Sequence, residues 1–211
     1  MNEPEVLEPL PSPLGALFGL VGAWHGTNTL WVEPGEEGRE SLATAGVDTI
    51  AAGKMLALSY DWDYRDLGGP IGDPDEPADM PDADVQDGML LIGVRPPAVR
   101  EPWLASQETP PSVNEDEFAP NTTATVEVAW CDSWHTDTRI MSLTGEFTSD
   151  GGFSAFGQYV LPDGIAWGWH IELIVGGPDS FTIEMYNVTP GGSEYLAVRT
   201  VYERLEPDDE E

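Results

Sequence analysis

Apolar and polar residues alternate with a period of two along most of the chain, and turn-forming residues interrupt the alternation about every ten positions. Across 22–32, Trp24, Gly26, Asn28, Leu30 and Val32 share one face, and His25, Thr27, Thr29 and Trp31 the other, because successive side chains of a strand point to opposite sides. The spacing predicts strands over 22–32, 42–51, 54–64, 88–95, 124–132, 139–147, 153–161, 165–175, 180–188 and 194–205. Between them, Ala52-Gly53, Asp150-Gly151-Gly152, Pro162-Asp163-Gly164, Gly176-Gly177-Pro178-Asp179 and Pro190-Gly191-Gly192 supply the positive or preset φ that tight turns need. Only Leu14, Leu17, Phe18 and Val21, behind Ser12-Pro13, have helical spacing, and they predict a short N-terminal helix near 13–20. It is too short to persist without packing. The expectation is an all-β fold of about ten antiparallel strands, closed into a barrel so that no edge stays exposed.

Two segments break this rhythm. Residues 66–87 hold a run of aspartates after Gly68-Gly69-Pro70, and residues 96–121 are proline-rich with Glu115-Asp116-Glu117. Both read as long loops flanking strand 88–95, a length that suits a functional lid or an insertion. Asp82-Ala83-Asp84-Val85-Gln86-Asp87-Gly88 is one position out of the calcium-loop register and lacks a closing glutamate, so it reads as a solvated acidic loop. Residues 1–13, with four prolines and three glutamates, read as a loose tail; 14–205 as a single barrel domain; and 206–211 as an acidic tail.

Charge changes the picture of partners. Of 211 residues, 39 are acids and 8 are bases, a net charge of −31. Nucleic-acid backbones and anionic membranes both need positive charge and are excluded as partners. Lys54 stands alone beside seven arginines, and the acids spread over the whole length, a composition suited to concentrated salt, where ions screen self-repulsion. An acidic surface for a basic partner is the other reading. A lone Cys131, an acidic N-terminus and no apolar run of about 20 residues point to a cytoplasmic protein, neither secreted nor membrane-spanning, acting as monomer or homodimer.

Candidate chemistry lies on the strand faces. Trp130, Asp132 and Trp134 alternate on one face, and so do Tyr60, Trp62 and Tyr64. Aromatics sharing a face with one carboxylate describe a cavity wall that stacks a ring or alkyl chain while a polar group orients it. Core packing is the competing reading for each ring. A carboxylate in such a stripe needs a partner, and Arg139 and Arg199 are the available cations. His170 shares a strand face with Glu172, while Ile165, Trp167, Trp169, Ile171, Leu173 and Val175 form the more apolar face. His25, His135 and His170 have no zinc spacing, and no nucleophile elbow, phosphate loop or dinucleotide fingerprint is present. No metal and no cofactor is called for. The residues expected to line the lumen are Trp24, Asn28, Tyr60 and Trp62, with Trp130, Asp132, Trp169 and Tyr186. Asp132 is expected to orient a small apolar or aromatic ligand. Acid/base catalysis by Asp132 with His135 or His170 is the alternative.

Gly22-Ala23-Trp24 after a short apolar segment resembles the entry strand of lipocalins and other calycins, the group that includes fatty-acid-binding proteins. That resemblance implies a calycin-like barrel in which Arg204, from the last strand, stacks over Trp24 to close one end. Leu20-Val21-Gly22-Ala23-Trp24-His25-Gly26, Trp130-Cys131-Asp132-Ser133, Gly145-Glu146-Phe147 and Tyr202-Glu203-Arg204 occur in the order seen in the lipocalin-like domain-of-unknown-function family fifteen-seventy-nine. The family implies the barrel and no activity, and the 96–121 segment departs from its compact hairpin. Gly22-Ala23-Trp24-His25-Gly26 is also similar to the start of nitrobindin-type haem barrels. Their iron-ligating histidine lies near the C-terminal end, whereas the last histidine here is His170.

Overall fold

The computed structural model describes residues 14–63, 85–95, 124–136, 138–162 and 164–206. The expected tails, 1–13 and most of 206–211, and most of the two long loops lie outside the described residues. Among the described residues ten strands run in chain order: β1 Gly22–Leu30, β2 Arg39–Ile50, β3 Met55–Asp63, β4 Val85–Arg95, β5 Thr125–Asp132, β6 Met141–Phe147, β7 Phe153–Val160, β8 Ala166–Gly177, β9 Ser180–Val188 and β10 Glu194–Arg204. Each pairs antiparallel with its chain neighbours, and β1 pairs with β10, so the sheet is a closed barrel without edges. The fold class expected from the alternation is the one found. Two bounds differ in an informative way. β4 begins at Val85 rather than 88, and β6 begins only at Met141, because residues 133–136 turn tightly against the end of β5. Among the described residues no helix is long and apolar enough to cross a membrane.

Alternating burial shows which faces point inwards. Leu56, Leu58, Tyr60 and Trp62 of β3, and Val126, Val128, Trp130 and Asp132 of β5, are buried, and their chain neighbours are not. The antiparallel order puts the start of β1 and the end of β10 at one barrel end. The end of β5, the start of β6 and the end of β7 lie at the other.

The first end is plugged. In place of the expected helix, Leu17–Leu20 forms a single 3-10 turn, and Leu14, Leu17 and Leu20 are buried beneath it. The Trp24 indole N–H donates to the carbonyl of Leu20 at 2.9 Å. The guanidinium carbon of Arg204 lies 4.2 Å over the Trp24 ring, and its nitrogens donate to the carbonyls of Gly19, Val21 and Pro178. Trp24 meets Phe181 edge-on at 4.8 Å, and Phe181 stacks on Tyr202 at 4.7 Å. Gly26 of β1 runs so close to β10 that a Cβ there would sit 2.0 Å from the carbonyl oxygen of Val201.

Buried polar groups pair along the seam. Asn28 donates to Ser41 Oγ on β2 at 3.3 Å and accepts from Thr200 Oγ1 on β10 at 2.8 Å. Unpaired, such an amide would cost several kcal/mol; paired, it ties β1 to both neighbours.

Candidate functional site

Among the described residues, nothing plugs the second end. The ladder between β6 and β7 runs only from Phe147↔Phe153 to Thr144↔Phe156, although both strands continue towards that end. At Gly157 a Cβ would lie 2.7 Å from the Ser142 carbonyl oxygen, so the strands are still close there. Beyond it, Met141 and Ile140 on one side and Tyr159 and Val160 on the other border a pocket of about 400 Å³. Its floor is Trp130 and Trp169, stacked with ring centres 5.2 Å apart and planes within 5°.

The turn after β5 forms one wall. Asp132 Oδ1 accepts from the backbone N–H groups of Trp134, His135 and Thr136 at 3.2, 2.5 and 3.1 Å, which is the way a side-chain carboxylate caps a turn. Thr136 Oγ1 accepts from the Asp132 N–H at 2.8 Å. The other carboxylate oxygen, Oδ2, lies 2.5 Å from His135 Nδ1. This contact fixes the imidazole, whose ring borders the pocket. The His135 ring tilts over Trp169 at 4.7 Å and touches Trp134 at 4.4 Å.

The opposite wall is equally fixed. The Tyr159 hydroxyl donates to Asn187 Oδ1 at 2.9 Å, and burial first, then the neighbouring Tyr195, holds its phenol above the usual range. Two exposed apolar side chains, Ile140 and Val160, stand at the lip.

Among the eight residues singled out as lining, Trp130 and Trp169 border the pocket, and Asp132 sits behind it, holding His135. Tyr60 and Trp62 stack at 5.0 Å inside the barrel, and Tyr60 receives the Trp130 indole N–H at 2.9 Å. Burial, then the charge of Asp132, pushes the Tyr60 phenol well above its ordinary value. Trp24 and Asn28 belong to the plug and the seam. Tyr186 lies on the outer wall, stacked on His170 at 5.5 Å and bonded to Glu184, which also accepts Arg199 Nε at 2.7 Å. His170 is outside as well, 2.8 Å from Ser154 Oγ and 3.4 Å from a Glu194 oxygen. Its apolar strand neighbours, Trp169 and Ile171, point in.

His135, Met141, Tyr159 and Asn187 were absent from the sequence-based lining. Strand alternation does place Tyr159 inwards, since Phe153, Ala155 and Gly157 before it are buried. The turn that turns His135 inwards depends on the capping by Asp132, which alternation does not reveal. Among the described residues no group of three or more His, Cys, Asp or Glu is placed to hold a metal ion. Cys131 is a half-buried free thiol.

No protein-family model and no curated protein matches the chain. Its structure is similar to that of Rv2717c from M. tuberculosis, with a TM-score of 0.50 at 14% identity over 94% of this chain and 100% of the other. It also overlaps the S-type phycobiliprotein lyase CPES from Guillardia theta, with a TM-score of 0.44 at 14% identity over 90% of this chain and 91% of the other. At such identities the first likeness speaks to the fold, a calycin-like barrel.

Proposed function

We propose that this barrel binds a small apolar or aromatic molecule in the pocket at its second end. The stacked pair Trp130 and Trp169 carries the proposal: it closes the base of a cavity of about 400 Å³ with apolar rings, within the size range of small-molecule sites. Aromatic faces hold planar guests by offset stacking and by area removed from water. Trp130 and Trp169 touch the guest, Asp132 acts through His135, and Trp24, Asn28, Tyr60 and Trp62 frame the barrel. N-phenyl-1-naphthylamine titrated into the folded protein in molar KCl tests this. Saturable uptake at one site with tryptophan quenching is the expected result, and Trp169→Ala should weaken it by at least tenfold. No saturable uptake by folded protein would overturn it.

A second reading rests on the 2.5 Å contact between Asp132 and His135, with His135 on the pocket wall. A carboxylate-held imidazole bordering a bound molecule is suited to proton transfer. Under that reading His135→Gln and Asp132→Asn abolish turnover of the bound molecule while its uptake persists; equal turnover in wild type and both variants would reject it. The haem alternative has less support, because His170 faces outwards. Addition of hemin without a Soret shift would end it. The likeness to family fifteen-seventy-nine rests on the order of its four motifs.

A further inference from the structure

The pocket has a charge character at odds with the rest of the chain. Of 211 residues 39 are acids, yet none of the described residues that line the pocket is one. Arg139, one of only 8 bases in the sequence, stands at the lip. It is exposed, and no carboxylate among the described residues pairs with it. Asp132, behind the wall, is occupied by three backbone N–H groups and His135.

The donors along the wall are similarly one-sided. Trp169 is 2% exposed, and its buried indole N–H has no hydrogen-bond partner among the described residues, whereas the stacked Trp130 gives its N–H to Tyr60. A buried donor without an acceptor is costly. An occupant with an acceptor group relieves that cost. In a chain of net charge −31, a pocket whose described lining carries no carboxylate spares an anionic guest the repulsion it would meet elsewhere, and Arg139 supplies a planar donor fork that matches a carboxylate.

Resting on the binding role above, we infer that the guest is an aromatic acid: a planar ring laid against Trp130 and Trp169, with its carboxylate at the lip beside Arg139. Neutral and cationic rings of the same size bind more weakly, because only the acid meets the cation.

Three naphthalene probes separate this inference from the binding role itself: 2-naphthoate, 2-naphthalenemethanol and 2-naphthylmethylammonium. Each is titrated by tryptophan quenching at pH 7.5, at the lowest KCl concentration that keeps the protein folded. The expected result is a dissociation constant for 2-naphthoate at least tenfold below that of the ammonium probe, with the alcohol between them. Arg139→Gln should reduce the preference for the acid over the ammonium to within twofold. Saturable binding of the alcohol with no preference for the acid, or a preference that survives Arg139→Gln, would overturn the aromatic-acid assignment and leave the binding role standing. Failure of all three probes to bind would overturn both.

Discussion

Trp130 and Trp169 lie face to face, ring centres 5.2 Å apart, but their indole N–H groups have opposite fates. That of Trp130 donates to the Tyr60 hydroxyl at 2.9 Å, and that of Trp169 is buried with no partner among the described residues. Phenylalanine should therefore be tolerated unequally at the two positions. Trp130→Phe loses packing and leaves the Tyr60 hydroxyl unpaired, so a loss of about 2–3 kcal/mol is expected. Trp169→Phe removes an unpaired donor along with the ring area, and its cost should stay within about 1 kcal/mol. Chemical denaturation at fixed KCl measures both, and equal losses would contradict the assignment.

Alkaline pH offers a second check. Tyr60 and Tyr202 are buried, and burial is the main reason both phenols are held above the ordinary 10.0. Above pH 10 the unfolded chain releases these protons and the folded one retains them, so the unfolded state binds fewer protons and stability falls as pH rises. The contribution of the protonated phenols is complete below that pH. Each unit above it costs about 1.4 kcal/mol per tyrosine until the folded phenol itself ionises. The denaturation midpoint should drop steeply above pH 10, and Tyr202→Phe should make the drop shallower.

Arg204 joins three carbonyls and one ring at the plugged end. Arg204→Ala leaves those carbonyls without their donor and uncovers Trp24, for an expected loss of about 2–3 kcal/mol. Arg204→Lys keeps the charge but not the planar fork, and should recover less than half of it. Thermal or denaturant midpoints at constant salt decide the matter.

Salt should stabilise the fold. A net charge of −31 with only 8 bases leaves self-repulsion that counter-ions screen, with a Debye length falling from about 10 Å at 0.1 M to about 3 Å at 1 M. The denaturation midpoint is expected to rise with KCl, most steeply below about 1 M, where screening changes fastest. A midpoint independent of KCl would mean that the acids serve something other than solvation in brine.

The strands were legible because burial on one face imposes a period of two that survives in the sequence, as in Val126, Val128 and Trp130. Gly26 was legible as part of a Gly-x-Trp-x-Gly run, and its physical reason is that a Cβ there would sit 2.0 Å from the Val201 carbonyl oxygen. Trp130 and Trp169 were readable as inward rings, but not as neighbours, since their contact passes across the lumen between β5 and β8. His135 follows a turn rather than an alternating face, and its orientation depends on one carboxylate accepting three N–H groups. The opening between β6 and β7 has no sequence signature at all, because it consists of ladder pairs that are missing.

The ladder from Trp24↔Arg204 to Leu30↔Val198 joins the first of the described strands to the last. While the ribosome is still translating β10, β1 has a bare edge, and Trp24 has neither its cation nor a finished wall around it. Closure of the barrel therefore waits for β10. A nascent chain stalled before β10 should be held by chaperones or lost to proteases, however complete its first nine strands.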